Sequence, residues 1–320
     1  MYRLINLTII FLCITGVSGC STVVDESALA DGSDAIRGGT DAGPNEFPYF
    51  VQFVLAGYKE VTPLCGGVLI DPRHALTAAH CFDMMRYDGS LNLDKIKRDI
   101  MAVLGVQTRA EAVNFSGSAN VLPLGIEHVY IPESYRVIGV GQQEYHFHDL
   151  ALVRLRPLAH GKPPIAWGAV NPTAPLTYAG LGWQADPKSE QLRQHFGEWI
   201  RGDYHVIPQY PAQLQKATSQ ILTGPDCDGA RTPPDTNLLD TSRLCMDVSV
   251  SSPDYGDSGG PVIQIVDGTP RLVGILQGSA GQFTGLGGVG TRTFTLGLAI
   301  NVEAYRDWIT LTLVHSYQGR

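Results

Sequence analysis

Apolar residues occur along most of this chain in short runs that stop at turn-forming residues. The run Gly67 to Ile70 ends at the turn Asp71-Pro72-Arg73, and a second apolar run, Ala75 to Ala79, follows at once. Short apolar runs between turn signals favour buried strands over helices. The 36 glycines and 20 prolines among 320 residues fit the same pattern. We therefore expect many short strands joined by turns.

One segment has the spacing of a helix instead. Asp186 and Pro187 are typical of a helix start. Four large apolar residues then recur on one helical face: Leu192, Phe196, Trp199 and Ile200. The sequence predicts a helix over Lys188 to Arg201 that packs on the rest of the protein, and a flexible loop is the alternative.

The N-terminus has the pattern of an export signal. Arg3 precedes the apolar stretch Leu4 to Val17, which is too short to span a membrane as a helix. The stretch ends in Val17-Ser18-Gly19-Cys20, which resembles the cleavage box of bacterial lipoproteins, whose cysteine becomes lipidated. An ordinary secretory signal that contains a cysteine is the alternative.

This pattern divides the start of the chain into two parts. We expect residues 1–19 to be a signal peptide and residues 20–35 to form a tether or propeptide. The protein is then exported, either as a bacterial outer-membrane lipoprotein anchored to the membrane through Cys20 or as a secreted or periplasmic protein.

The charge of the chain limits the partners that it can bind, and its cysteines indicate the compartment in which it folds. The formal net charge is −8, and no Lys/Arg run is long enough to follow a phosphate backbone, which argues against nucleic acid as a partner. With Cys13 and Cys20 in the N-terminal segment, four cysteines remain, and an exported chain can join them in three ways. The simplest pairing is local, and its members are Cys65 with Cys81 and Cys227 with Cys245. A zinc site is the alternative, although the spacings lack C-x-x-C pairs.

Candidate chemistry centres on Ser258 in the segment YGDSGGP. Glycine, aspartate, serine and proline are also the residues of a plain turn. A serine on a tight bend can instead act as a nucleophile, provided that a base and an orienting acid lie elsewhere in the chain.

His80 and Asp149 are the candidates for these two partners. His80 is directly followed by Cys81, so a disulfide would hold its loop in place. Asp149 precedes the mostly apolar strand Leu150 to Leu155, where a carboxylate is costly unless it is paired, and an exposed strand cap is the alternative. His146 and His148 could bind metal as an H-x-H pair, but without a third ligand nearby we expect an exposed or edge pair.

Three segments, LTAAHC, DLALVRL and YGDSGGP, resemble the signature segments of the chymotrypsin/trypsin family of serine proteases, in the family's order. The likeness runs from Ile36, at a segment similar to the family's mature N-terminus, to about Ile309. It implies an all-β fold of two antiparallel six-stranded β-barrels with the cleft between them. It also implies a C-terminal α-helix around Val302 to Leu313, and one protease domain over residues 36–320.

The resemblance implies a catalytic apparatus that needs no cofactor and no metal. His80, Asp149 and Ser258 would form the triad, and the N–H groups of Gly256 and Ser258 would form the oxyanion hole. The family resemblance further makes Asp257 the partner of a new α-amino group at Ile36. The protein would act on protein or peptide substrates as a monomer.

The substrate pocket follows from the same comparison. Ser252 would form its floor, and Ser279 and Gly297 would form its walls. A floor without a carboxylate cannot pair with a buried Arg or Lys, so we expect apolar or small P1 residues. Asp254 is the nearby charge that could change this preference.

The chain departs from the family's pattern in several places. Arg37 stands where an apolar valine is usual, and Ala35, rather than a basic residue, precedes Ile36. Asp254 stands where the family often has a disulfide cysteine, and Gln277-Gly278-Ser279 replaces the usual S-W-G strand. Two insertions, Asp83 to Arg98 and Trp183 to Pro211, lengthen loops.

Two other classes of function remain to be weighed. A protease-like binding protein that has lost catalysis would usually lack a triad residue, whereas all three are present here. An esterase on another fold would carry G-x-S-x-G and the order Ser, Asp, His, and the sequence has neither.

Overall fold

The structure is a computed structural model, and it describes residues 36–56, 61–115, 120–140, 143–182, 211–224, 227, 241–286 and 289–319. Most of the regular elements in these residues are strands. In chain order they are β1 (Thr40–Asp41), β2 (Phe50–Leu55), β3 (Thr62–Asp71), β4 (His74–Thr77), β5 (Arg86–Tyr87), β6 (Ser90–Leu91), β7 (Ile100–Leu104), β8 (Leu122–Tyr130), β9 (Arg136–Val140), β10 (Gln143–Phe147), β11 (Ala151–Arg156), β12 (Leu176–Gly180), β13 (Gln215–Ser219), β14 (Ile221–Leu222), β15 (Arg243–Met246), β16 (Pro261–Val266), β17 (Thr269–Leu286) and β18 (Val289–Asn301).

Helices are short and few among the described residues. They are a 3-10 helix (Ala79–Met85), α1 (Leu93–Asp99), α2 (Arg109–Val113), a second 3-10 helix (Val302–Tyr305) and α3 (Arg306–Tyr317). Together, the last two confirm the predicted C-terminal helix, which extends beyond the predicted end at Leu313. No helix in these ranges is long and apolar enough to cross a membrane.

Six strands close into an antiparallel barrel in the order β11-β4-β3-β2-β7-β8. The predicted apolar run Gly67 to Ile70 lies in β3, and most of the run Ala75 to Ala79 lies in β4 or just after it. Both runs are buried, as the lack of a helical repeat indicates. Closure removes the sheet edges, so every barrel strand is paired on both sides.

The second sheet has eight strands in the order β1-β13-β12-β16-β17-β18-β15-β14. Its strands pair antiparallel, and β17 with β18 forms its longest hairpin. Within the described ranges this sheet does not close, so it is a half-barrel rather than the second six-stranded barrel that the resemblance implies. The mostly β fold class is confirmed.

Both local disulfides are formed. Cys65 bonds to Cys81 with an S–S distance of 2.03 Å, and Cys227 bonds to Cys245 at 2.05 Å. Cys65, Cys81 and His80 lie close together, but sulfur atoms in a disulfide are not the thiolates that bind metal. The alternative of a zinc site at these cysteines is therefore wrong.

The insertion from Asp83 to Arg98 is ordered. It contains the β5–β6 hairpin and α1, whose first turn is capped because the Asn92 side chain accepts a hydrogen bond from Lys95 N–H. The predicted helix from Lys188 to Arg201 lies outside the described residues.

A buried polar chain attaches α3 to the closed barrel. His74 on β4 is fully buried, with Nε2 2.7 Å from Ser316 Oγ and Nδ1 2.8 Å from Asp71 Oδ2. Burial alone would raise the pKa of Asp71, but the hydrogen bond from His74 and its other donors outweigh it and lower the pKa. Arg154 Nη1 also donates to the Ser316 carbonyl at 2.7 Å. The last turn of α3 is thus held by side chains of two barrel strands.

We expect Ser316→Ala to lower the free energy of unfolding by about 1–3 kcal/mol, because it leaves a buried ring nitrogen of His74 without its partner. The measurement is the denaturant midpoint at constant m value. Thr310→Ala is the matched control, since Thr310 is an exposed hydroxyl residue on the same helix. Equal losses in the two variants would contradict the role of the buried chain.

Candidate active site

His80 and Asp149 are brought together by neighbouring strands of the closed barrel. His80 lies in the 3-10 helix that follows β4, Asp149 lies two residues before the start of β11, and these strands pair through Thr77 and Ala151. His80 Nδ1 is 2.7 Å from Asp149 Oδ2, and His80 N–H donates to Asp149 Oδ1 at 2.8 Å. Asp149 is fully buried, whereas 23% of the His80 side chain is exposed. The imidazole is therefore held at Nδ1 by a buried carboxylate, while part of the ring is exposed to solvent.

Each member of this pair favours the charged form of the other. Burial alone would lower the pKa of His80, but the charge and hydrogen bond of Asp149 outweigh it and raise the pKa. Burial alone would raise the pKa of Asp149, but His80 holds it below its usual value. Since a carboxylate can only accept, His80 Nδ1 carries a proton and Nε2 of the neutral ring is left as the base.

Gln277 is a third partner of this pair that sequence reasoning did not assign. Its Nε2 donates to Asp149 Oδ2 at 3.0 Å and to the His146 carbonyl at 2.8 Å. The backbone carbonyl of Gln277 accepts a hydrogen bond from Ser258 Oγ at 3.1 Å. One residue of β17 thus contacts both Asp149 and Ser258.

Ser258 lies on a bend that only glycine permits. Gly259 has a positive φ of 82°, and a Cβ atom there would come within 2.1 Å of Thr77 Oγ1. The bend is fastened to the barrel because Gly66 N–H donates to the Ser258 carbonyl at 2.8 Å. The sequence prediction of a tight bend at the candidate nucleophile agrees with this geometry.

The amides beside the hydroxyl are available to a ligand. Gly256 also has a positive φ, of 88°. Within the described part of the chain, neither the Gly256 nor the Ser258 N–H donates to a protein acceptor. Two such N–H groups can stabilise a developing oxyanion.

Asp257 is a completely buried carboxylate. Gly182 N–H donates to its Oδ1 at 2.8 Å and Asp254 N–H donates to its Oδ2 at 2.9 Å. Desolvation, assisted by the charge of Asp254, raises the pKa of Asp257 to about 7. A Cβ at Gly180 would lie 2.0 Å from Asp257 Oδ1, so glycine is required where the carboxylate is enclosed.

Ile36 and Arg37 dock beside this loop. Ile36 is fully buried among the core residues of the second sheet. Arg37 and Ser252 exchange two backbone hydrogen bonds of 3.0 Å, and Arg37 Nε forms an ion pair with Asp254 Oδ2 at 3.1 Å. Only 2% of the Asp254 side chain is exposed, so its charge is directed at Arg37. Arg37 and Asp254 are two positions at which the chain departs from the family's pattern, and their side chains form one ion pair.

The three residues predicted to form the pocket lie on adjoining segments. Ser279 and Gly297 are opposite each other in the β17–β18 ladder. Ser279 Oγ donates to the carbonyl of Pro253, the residue after Ser252, at 2.8 Å. Ser252 is buried.

The prediction of an exposed or edge pair agrees with the position of His146 at a sheet edge, but not with the low exposure of its side chain. His146 lies on β10, in a two-stranded sheet with β9. Its side chain, however, is only 23% exposed, contacts Tyr135 Oη at 3.1 Å and faces the His80 ring. His148 also bonds to a tyrosine, with Nδ1 2.8 Å from Tyr305 Oη. Sequence spacing could not reveal these partners, because the contact with Tyr135 depends on the β9–β10 pairing and Tyr305 is 157 residues from His148.

The buried chain Asp71–His74–Ser316 has the same three side-chain types as Asp149–His80–Ser258. His74 and Ser316 are both fully enclosed, so no substrate can reach Ser316. Of the two constellations, only the one at Ser258 combines a half-exposed hydroxyl with a half-exposed imidazole.

Comparison with known proteins agrees with this geometry. The sequence profile of the Trypsin family matches residues 36–309. Spermosin of Halocynthia roretzi is 51% identical over 53 residues, which cover 15% of this chain and 14% of spermosin. Ovochymase of the same animal is 26% identical over 300 residues, 92% of this chain and 16% of ovochymase.

A third relative is matched over most of its length. Coagulation factor IX of Oryctolagus cuniculus is 28% identical over 275 residues, 84% of this chain and 85% of factor IX. The chain spans only a small part of the length of spermosin and of ovochymase. The family profile nevertheless covers most of the chain, and this protein belongs to the trypsin family of serine-type endopeptidases.

Proposed function

We propose that this endopeptidase cleaves peptide bonds through an acyl-enzyme on Ser258. The observation that carries the proposal is that Gln277 contacts both the Ser258 hydroxyl and the Asp149 carboxylate that holds His80. The mechanism requires that, with substrate bound, the Ser258 hydroxyl leaves the backbone carbonyl of Gln277 and donates to His80 Nε2 instead.

The first half-reaction forms the acyl-enzyme. Ser258 Oγ attacks the peptide carbonyl, and its proton passes to His80 Nε2. The carbonyl oxygen becomes an oxyanion held by the N–H groups of Gly256 and Ser258, and Asp149 stabilises the imidazolium. As the C–N bond breaks, His80 gives the proton to the leaving amine. Water then attacks the ester carbonyl and gives a proton to His80 Nε2. As the bond from the acyl carbon to Ser258 Oγ breaks, His80 returns the proton to Ser258 Oγ.

Ser258→Ala should abolish both peptide hydrolysis and labelling by a fluorophosphonate probe, because the nucleophilic oxygen is removed. His80→Ala should lose nearly as much activity, since triad losses are not additive. Ser316→Ala is the control, because it removes the buried serine of the Asp71–His74–Ser316 chain. The probe should still label Ser258 in this variant. Labelling that survives in Ser258→Ala would refute the mechanism, and an unlabelled parent protein would favour a binding protein without catalysis.

We propose that the pocket accepts apolar or small P1 residues. Ser252 brings no carboxylate to its floor, and the carboxylate of Asp254 is already paired with Arg37. An Arg or Lys side chain would therefore be desolvated without an ionic partner, which is unfavourable.

A peptide-library profile should thus be dominated by apolar or small residues at P1. Ser252→Asp should raise kcat/KM for Arg or Lys at P1 by about tenfold or more, the value of one charge-assisted hydrogen bond. Ser252→Asn is the uncharged control. A parent profile dominated by Arg or Lys at P1 would overturn the proposal.

We propose that residues 1–19 are a signal peptide, residues 20–35 a tether or propeptide, and residues 36–320 the protease domain. The two disulfides fit export to an oxidising compartment. Cleavage before Ile36 would create an ammonium group whose charge suits the buried Asp257 carboxylate, which has two backbone donors but a raised pKa. The enzyme is proposed to act as a monomer.

We also propose that Cys20 carries lipid in the uncut protein. Support comes from the Val17-Ser18-Gly19-Cys20 box alone, and the relatives named above come from animals. Because Cys65, Cys81, Cys227 and Cys245 are paired with one another, they leave no disulfide that could retain a severed propeptide. The cut that activates the enzyme would then also release it from the membrane.

Detergent phase partitioning and N-terminal sequencing test these assignments together. The precursor should enter the detergent phase, and the active enzyme should stay in the aqueous phase and begin at Ile36. Cys20→Ser should move the precursor to the aqueous phase. An active form that remains in the detergent phase with residues 20–36 uncut would mean that either the release or the Ile36–Asp257 pairing is wrong.

A further inference from the structure

The loop that carries Ser258 has its peptide N–H groups tied at alternate residues. Asp254 Oδ1 accepts from Tyr255 N–H at 2.9 Å, and the backbone carbonyl of Asp254 accepts from Asp257 N–H at 3.1 Å. Between these two lies Gly256, whose N–H, like that of Ser258, donates to no protein acceptor within the residues that the structure describes. Asp254 therefore fixes the peptide groups on both sides of the Gly256 N–H.

The side chain of Asp254 is almost fully buried, and Arg37 supplies a counter-charge. Only 2% of the Asp254 side chain is exposed, and Arg37 Nε lies 3.1 Å from its Oδ2. The Arg37 side chain is 34% exposed, so its guanidinium is partly solvated. Removing the cation from a buried carboxylate is costly, whereas a partly solvated cation tolerates the loss of its anion better. The two members of the pair are therefore not equivalent.

Backbone contacts hold Arg37 beside the segment that contains Asp254. Arg37 and Ser252 exchange two backbone hydrogen bonds of 3.0 Å, which form an antiparallel bridge. The next residue is also held, because Ser279 Oγ on β17 donates to the Pro253 carbonyl at 2.8 Å. The segment is thus fixed at successive residues, and the guanidinium of Arg37 reaches a carboxylate that orients the amides of the loop.

We propose that Arg37 and Asp254 are a positioning pair for the oxyanion hole, in which the guanidinium holds the Asp254 side chain in the orientation that fixes the amides beside Gly256. Neither residue touches the reacting atoms, and both act through the Gly256 N–H. This role rests on the proposed acyl-enzyme at Ser258, and it adds a requirement that the three triad side chains do not contain.

The burial of Asp254 predicts an unequal response to substitution of the two residues. Removing Arg37 takes this counter-charge from a buried carboxylate, so the loop rearranges to expose the carboxylate or to pair it elsewhere. The Gly256 N–H then leaves its place, and one oxyanion-hole donor is worth about 10²–10³ in kcat in related sites. Neutralising Asp254 removes the cause of the rearrangement, while the side-chain oxygen of an asparagine can still accept from Tyr255 N–H.

The test is a cycle of four proteins: the parent, Arg37→Gln, Asp254→Asn and the double variant, all with a peptide substrate whose P1 residue the parent prefers. Arg37→Gln should lower kcat about tenfold or more and leave KM within about twofold, because a contact made in the transition state is lost. Asp254→Asn should lower kcat by about threefold or less. The double variant should recover to within about threefold of the parent, since the two substitutions are coupled.

Lys216→Gln is the matched control. Lys216 on β13 pairs with Glu46 at 2.6 Å, in a partly exposed ion pair between the same sheet and the N-terminal segment, so its loss should leave kcat and KM unchanged. A pair at Arg37 and Asp254 that only stabilised the fold would lower the denaturant midpoint and leave kcat of the folded protein unchanged.

A peptide aldehyde gives a second readout that depends on the oxyanion hole. Ser258 Oγ adds to the aldehyde carbon, its proton passes to His80 Nε2, and the carbonyl oxygen becomes the oxyanion. The corresponding peptide alcohol fills the same pocket and forms no such adduct. In Arg37→Gln the inhibition constant of the aldehyde should rise about tenfold, in parallel with the fall in kcat, and that of the alcohol should stay within about twofold.

Because Arg37 follows the proposed cut, the variants are compared in forms that share the parent's N-terminus by intact mass. An unchanged kcat in folded Arg37→Gln, or losses that simply add in the double variant, would overturn the positioning role. If Arg37→Gln does not fold, the double variant decides: a folded protein with kcat near the parent's supports the pair, and any other result refutes it. Failure of the proposed function would look different, because the parent would then be inactive or Ser258→Ala would keep the parent's activity.

Discussion

The carboxylate of Asp149 is completely removed from solvent, and the candidate active site is arranged around the hydrogen-bond donors that this burial requires. A buried charge is tolerated only when it is paired and fully hydrogen-bonded. Asp149 receives a backbone N–H and a ring N–H from His80, and a side-chain amide from Gln277. His80 belongs to the closed barrel and Gln277 to the second sheet. The interaction that orients the imidazole therefore also joins the two sheets.

Asp257 is buried as completely as Asp149, but its hydrogen-bond donors stabilise the carboxylate less. Backbone N–H groups of Gly182 and Asp254 donate to it, and a second carboxylate, that of Asp254, lies next to it. Its pKa accordingly rises to about 7, whereas that of Asp149 falls. Arg37 compensates the charge of Asp254 directly, with 3.1 Å between its Nε and Oδ2. The loop that carries Ser258 is thus built over two buried carboxylates.

The sequence predicted the parts of this site that are set by local pattern. Short motifs and spacing predict the bend at Ser258, the two strands before His80, the position of Asp149 before β11 and both disulfides. The interactions of Gln277 and Arg37 could not be predicted in this way, because Asp149 is 128 residues from Gln277 and Asp254 is 217 residues from Arg37. The contact of His146 with Tyr135, 11 residues away, depends on the pairing of β9 with β10. Within the described residues the second sheet stays open, and short strands alone do not specify closure.

Access to substrate, rather than the identity of the side chains, distinguishes the two Ser–His–Asp constellations of this protein. In both, an aspartate accepts from the Nδ1 side of a histidine at 2.7–2.8 Å. At His74 the other ring nitrogen is taken by Ser316, and helix α3 closes over the pair, so the chain serves to attach the helix. At His80 the ring is partly exposed, and Ser258 bonds to a carbonyl from which a rotation can release it. The same three side-chain types thus attach a helix where they are enclosed, and leave an imidazole and a hydroxyl partly exposed at His80 and Ser258.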